Sequence, residues 1–342
     1  MMTSLALSLL LAPQSFSLTK EVKEETLAIL FKELNDRYVM PEISKKIETE
    51  LKVWMKSKEF AELADGGSFA TKVNDIMKGL VTDAHLRFRF HPKVLPARQV
   101  RSEPSAEEIK REEVAVRFDN AQFRKVERLR GNVGYIAFDG FASSEDIARP
   151  LLGAMTFLAN ADAMIVDLRN NGGGHPAGVQ RFCSYFFEPK PVLLNTIYFR
   201  PSNTTKEFWT LEKLEGPRLP NVPLYILVSK RTGSGAEECA YNFQQLKRGT
   251  IIGEPTWGGA NPGGPVRLGD HFSCFIPVGR AINPYSKTNW EGNGVQPDLA
   301  MDPASSLKAT HLLALKGLIA KATDPEMKAD WQTIYNEVEK GG

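Results

Sequence analysis

The chain has 342 residues, 42% of them hydrophobic, long enough to bury one large core and a smaller one. Its 43 basic and 41 acidic residues nearly cancel, which argues against nucleic acid or an anionic membrane as the main partner. Three cysteines, Cys183, Cys239 and Cys274, are too few for a disulfide framework, and no Cys-x-x-Cys spacing suggests zinc or dithiol chemistry.

In chain order, the first feature is an apolar run from Leu5 to Ala12, followed by the small-x-small site Ser15-Phe16-Ser17. The run is too short to span a bilayer and fits a signal peptide over residues 1–17, although no Lys or Arg precedes it. A periplasmic or secreted location is therefore expected, with a cytoplasmic one as the alternative. No later segment is apolar enough for a membrane span.

Residues 18–91 read as a helical subdomain. Leu27, Leu30, Phe31 and Leu34 recur at helical spacing in Glu25 to Tyr38, and similar stripes occupy Ile43 to Lys56 and Phe69 to Leu80. Pro41 and Asp65-Gly66-Gly67 separate them. From Pro92 to Glu113 the composition turns to Pro, Ser, Arg and Glu without periodicity, so 92–116 reads as a linker.

A strand–helix alternation follows over 117–310. Strands are expected at 133–141, 163–168, 192–199, 224–229 and 250–253, and helices at 145–159, 176–187 and 235–247, the first capped by Ser143 or Ser144. This is the pattern of an α/β domain with mainly parallel pairing. Val266 to Leu268 and Phe272 to Val278 flank Gly269-Asp270 as a hairpin, and helices over 305–321 and 325–339 end the chain, 311–342 being its C-terminal helical part.

Three segments carry candidate chemistry. In Thr232-Gly233-Ser234-Gly235-Ala236-Glu237-Glu238 a buried strand enters a glycine-flanked turn that opens a helix. A serine there sits among unpaired N–H groups that favour developing negative charge. Ser234 with Glu237 three residues on equally fits a capping box. Thr232 and Ala236 exclude the Gly-x-Ser-x-Gly elbow. The second segment, Asp167-Leu168-Arg169-Asn170-Asn171-Gly172-Gly173-Gly174, offers successive backbone N–H groups to an oxyanion, or is a plain turn. It lacks both the Gly-Lys-[Ser/Thr] and the Gly-x-Gly-x-x-Gly of nucleotide sites. The third question is the base. Of five histidines, His311 lies in a helical stretch, His271 in the hairpin and His91 at the start of the linker, so the two to weigh are His85, after the last N-terminal helix, and His175, after the glycine run. No metal or other cofactor is called for.

Together and in this order, these segments resemble the tail-specific (C-terminal processing) serine peptidase family. The likeness is to the branch containing the tricorn protease core and the repeats of interphotoreceptor retinoid-binding protein. Asp83-Ala84-His85 is similar to the family's Asp-x-His segment, 167–174 to its Asp-x-Arg-x-Asn-Gly-Gly-Gly signature, and 232–237 to its nucleophile turn. Gly253 to Gly259 and Glu291 to Asp298 resemble the two segments that follow.

The resemblance implies a crotonase/ClpP-like spiral of ββα units behind the N-terminal helices. About 40 residues between His91 and Val133 leave no room for a PDZ domain. No lysine lies between Lys247 and Lys287, so the family's Ser-Lys dyad is not expected. What the tricorn-like branch implies instead is Ser234 as nucleophile, His85 as base and Glu291 orienting it, with oxyanion donors from Gly172, Gly173 and Gly235. Ala84 stands where that branch has a serine. The function implied is a serine endopeptidase acting on peptides or proteins. A non-catalytic binder of apolar, retinoid-like ligands and a crotonase-like acyl-CoA enzyme are the alternatives.

Overall fold

The computed structural model describes residues 16–96 and 106–341. The apolar run at 5–12 therefore lies outside the described residues. Phe16, inside the 1–17 segment, is described, and its ring packs against Phe90, His271 and Phe272.

The N-terminal helices are α1 (Lys20–Arg37), α2 (Pro41–Trp54), α3 (Lys58–Glu62) and α4 (Gly66–Lys78). Thr19, Ser57 and Asp65 cap α1, α3 and α4 by accepting backbone N–H groups, and Pro41 opens α2 where its missing donor costs nothing. After α4 comes β1 (Arg87–Phe90), a strand too short for its alternation to stand out in the sequence.

The last part of the expected linker is instead helical: α5 (Ala106–Phe118) covers 106–116 of it, a charged helix whose helix-forming residues lack an apolar stripe, while 97–105 lie outside the described residues. Then follow β2 (Phe123–Leu129), β3 (Val133–Phe138), α6 (Ser144–Phe157), β4 (Ala163–Asp167) and α7 (Pro176–Ser184). Next are β5 (Leu193–Phe199), β6 (Thr204–Trp209), β7 (Leu224–Val228), α8 (Gly235–Gln245) and β8 (Thr250–Gly253). The chain closes with β9 (Gly263–Arg267), β10 (Phe272–Pro277), β11 (Gly279–Ile282), β12 (Leu299–Ala300), α9 (Pro303–Lys321) and α10 (Pro325–Lys340).

The fold is α/β. Its main sheet has the order β12-β8-β7-β4-β3-β2, parallel throughout except for the antiparallel β2–β3 pair. Every residue of β4 is buried, as befits a central strand covered on both faces. One face packs against α6, α7 and α8 through Leu151, Phe182 and Phe243, the other against α9 and α10 through Leu315 and Val338. Helix α9 thus belongs to the sheet and crosses the expected boundary at 310/311.

The N-terminal part is not a free-standing bundle. Its β1 pairs with β10, which pairs with β9, and α1, α2 and α4 share one core with that small sheet. Phe272 on β10 sits at its centre, 1% exposed, with ring contacts to Phe69, Phe88 and Phe90 at 5.4 Å each. We expect Phe272→Ala to cost about 3–5 kcal/mol in urea unfolding, as for other aromatic truncations in a packed core. A loss under about 1 kcal/mol would show that the layer does not depend on this contact.

Candidate active site

The parallel β4–β7 pair, with Asp167 opposite Leu227, ends both strands on the same edge. Loops leaving the carboxyl ends of neighbouring parallel strands lie side by side, so the glycine loop and the Ser234 turn are neighbours by topology. Hydrogen bonds fix the pairing: Thr232 Oγ1 donates to Leu168 O (2.7 Å), Ser229 Oγ to Arg169 O (2.6 Å) and Gly233 N–H to Asn171 O (3.0 Å). Asp167, buried at the strand end, accepts the Tyr135 hydroxyl (2.7 Å) and pairs with Arg169.

Ser234 is the N-cap of α8 with φ 50° and ψ −117°, a conformation that favours glycine and is costly for a serine. Its N–H donates to Glu237 Oε2 (2.8 Å) and its hydroxyl faces the Glu237 N–H, the two halves of a capping box, although the hydroxyl half falls short of a well-formed hydrogen bond. The same Glu237 carboxylate accepts the Thr256 hydroxyl (2.5 Å) and the Gly258 and Glu237-facing Gly259 N–H groups (2.6 and 2.9 Å). Burial raises its pKa and these donors pull it back, so it acts as a knot between the serine turn and the 256–259 segment. That role exceeds the capping part the sequence assigned to it.

Gly173, at φ +99°, packs directly on the turn: a Cβ there would lie 2.6 Å from Gly233 O and Gly235 N and 2.8 Å from Ser234 Cβ. The donors differ from those expected. Gly172 N–H is taken by Asp139 O (3.0 Å) and Gly173 N–H by Asn171 Oδ1 (2.9 Å). Gly174 and Gly235 N–H groups have no acceptor among the described residues, and both glycines line the cavity beside Ser234. Which amides of a glycine run face the site depends on loop torsions that composition does not encode.

A cavity of about 540 Å³ collects Ser234, Gly235, Gly174, His85, His175 and Trp257 on its walls. His85 lies two residues before β1, its ring stacked on Phe275 (5.4 Å) and edge-on to Trp257 (4.8 Å). Burial pushes its pKa down to about 4, so the imidazole is neutral at neutral pH. Its Nδ1 is buried without a partner among the described residues. His175 is exposed, and its ring makes no hydrogen bond to a described residue.

Glu291 sits behind the His85 segment, accepting N–H groups of Ala84 (3.0 Å), Ala260 (2.6 Å) and Asn261 (3.0 Å). Burial first, and then the neighbouring Asp83 charge, push it up to about 7. Asp83, itself raised by burial, accepts the Tyr38 hydroxyl and Asn261 Nδ2 (both 3.1 Å) and the His85 N–H (3.1 Å). Donor atoms of Asp83, His85 and Glu291 lie within 4.8 Å of one another, spacing that could hold a metal ion. The carboxylates are already solvated by protein donors, which suits proton handling better than ligation. The structure thus brings Ser234, His85 and Gly235 to one cavity with Glu291 behind the histidine. It adds Asp83, part of the quoted motif but given no role there.

Residues 132–301 match peptidase family S41. The chain carries a peptidase family S41 domain. Tricorn protease of Thermoplasma volcanium is 30% identical over 179 residues, 52% of this chain and 16% of that one. The carboxyl-terminal-processing protease of Synechocystis is 31% identical over 156 residues, 45% of this chain and 34% of its own length. The chain spans about a third or less of these curated relatives. The solved photosystem II D1 C-terminal processing protease shares the fold, with a TM-score of 0.51 at 16% identity over 82% of this chain and 93% of that one. Among the described helices none is long and apolar enough to cross a membrane.

Glu238, one turn beyond Ser234, lines the same cavity and is pushed up by burial from 4.5 to about 7. A carboxyl whose folded pKa is raised loses stability as pH climbs from 4.5 through 7. His85 runs the opposite way, so the variant comparison isolates Glu238. Glu238→Gln is expected to be more stable than wild type by roughly 1–3 kcal/mol at pH 8, with the advantage gone at pH 4.5. Urea unfolding at both pH values checks this; a pH-independent difference would contradict it.

Proposed function

We propose that the protein is a serine endopeptidase that hydrolyses peptide bonds through Ser234, with His85 as base and Glu291 as the acid behind it. The observation that carries this is the strained Ser234 turn pressed against a glycine loop, with the Gly174 and Gly235 N–H groups free beside it. Backbone strain of this kind concentrates at sites where a side chain is held for reaction. The family match speaks for this reading over apolar-ligand binding or acyl-CoA chemistry.

In the proposed cycle, neutral His85 takes the Ser234 proton as Oγ attacks the carbonyl carbon, and the carbonyl oxygen becomes an oxyanion held by Gly174 and Gly235 N–H. Collapse breaks the C–N bond, and His85 returns the proton to the leaving amine. Water, deprotonated by His85, then releases the acyl group and restores the serine. Burial opposes the imidazolium, and in the proposed cycle an ionised Glu291, with a carboxylate oxygen within 4.8 Å of the ring, offsets that cost. Ionised Glu291 exists above about pH 7, so kcat/KM rises through that pH rather than near 4.

Ser234→Ala is expected to abolish cleavage of a fluorogenic peptide, and Glu291→Gln to lower kcat/KM by about 10²–10⁴-fold. The variant would also lose the acid limb near pH 7. An unchanged limb in Glu291→Gln would remove Glu291 from the mechanism.

Export to the periplasm or outside the cell is part of the proposal, supported by the apolar run at 5–12. Cleavage after Ser17 would remove Phe16 and with it the ring contact to Phe272. N-terminal sequencing of protein recovered from a secreting host tests this. A start between residues 13 and 18 supports export, and an intact Met1 contradicts it.

A further inference from the structure

The cavity wall nearest the nucleophile along α8 carries polar groups that the proposed cycle does not use. Glu238 follows Ser234 by one helical turn and is 5% exposed. Among the described residues it is the one carboxylate lining the cavity. Its close polar neighbour is Asn195 of β5, near enough to draw the Glu238 pKa down somewhat, yet both side-chain polar atoms of Asn195 lack a well-formed hydrogen bond. Asn242, one turn further along the same helix face, is in the same state. Both asparagines are 0% exposed.

Buried polar groups are ordinarily satisfied, because an unmade hydrogen bond at such a site is costly. Here a carboxyl lines the cavity, and two buried amides behind it keep hydrogen-bonding capacity in reserve. The walls that accompany Glu238 are apolar, from Ile197 of β5, Ala281 of β11 and the buried Trp290. Apolar walls with one carboxyl suit a side chain that buries a long aliphatic stem and ends in a cation. The cavity's fixed cations, Arg87 and Arg89, are exposed on β1 and form no ion pair with a described residue.

We propose that Glu238, supported by Asn195, forms the floor of the pocket for the substrate residue whose carbonyl is attacked, and that it selects lysine or arginine there. The inference rests on the peptidase reading and names its substrate class. A carboxylate in the pocket beside the nucleophile is a sufficient device for such selection. The arriving cation provides the partner that the buried carboxyl lacks and holds it ionised, while Asn195 can donate to its second oxygen.

The test uses matched fluorogenic peptides that differ only in that residue, lysine, arginine or norleucine, with kcat/KM measured for the full chain and for Glu238→Gln. The expected result is a wild-type preference for lysine or arginine over norleucine. That ratio should fall by roughly 10–100-fold in Glu238→Gln, the size of one hydrogen bond to a charged group. A wild-type preference for norleucine, or a ratio that the substitution leaves unchanged, would overturn the assignment. Competitive inhibition of wild type by benzamidine but not by uncharged benzamide provides the same discrimination without any variant, and equal potency of the two would count against it. Failure to cleave any of the peptides, together with no fluorophosphonate adduct on Ser234, would instead overturn the peptidase reading and this inference with it.

Discussion

The cavity depends on the parallel pairing of β4 with β7. That register, Asp167 opposite Leu227, ends two central strands together and forces the loops after them into contact. The contact leaves no space for a side chain at Gly173 and holds Ser234 at a positive φ. Neither condition would be stable alone: the strain at Ser234 is offset by the hydrogen bonds around it, above all those to the buried Glu237 carboxylate. A shift of one residue in the register would turn the side chains of β4 over and part the two loops.

The other half of the site arrives from a different core. His85 is held by β1 and by the aromatic side of β10, which belong to the layer formed with the N-terminal helices. Glu291 ties this half to the main sheet's loops by accepting N–H groups from both Ala84 and Asn261. A buried carboxylate beside a half-buried carboxylate and a half-buried imidazole is costly, and each shifts toward its neutral form. A folding optimum would not place them there, whereas proton transfer near neutral pH calls for groups that can carry charge reversibly. Alanine at position 84 supplies no hydroxyl beside the histidine, and the Asp83 carboxylate is a further acidic group within 4.8 Å of Glu291 and His85.

Much of this was legible in the residues, for identifiable reasons. The long strands and helices of the α/β core showed themselves because each buries a stripe or a continuous apolar run, as β4 and α6 do. Short or solvent-facing elements did not: β1, β11 and β6 offer few buried positions, and α5 has no apolar face to reveal it. Ser234, His85 and Glu291 were candidates from motif order, and the structure places the first two on one cavity with Glu291 behind the His85 segment. The amide donors were not, since Gly172, Gly173 and Gly174 look alike until the loop torsions assign their N–H groups to Asp139, to Asn171 and to the cavity. Glu237 and Glu238 stand side by side in the chain, and only helix geometry turns one into the knot of the serine turn and the other toward the cavity.

The proposed chemistry turns on Ser234 as a nucleophile activated by His85. Covalent labelling with a fluorophosphonate, with the modified residue located by peptide mass spectrometry, tests it most directly. A single adduct on Ser234 is expected in the wild-type chain, formed far more slowly when His85 is replaced by alanine. An adduct on another serine, no adduct at all, or a labelling rate indifferent to His85 would contradict it.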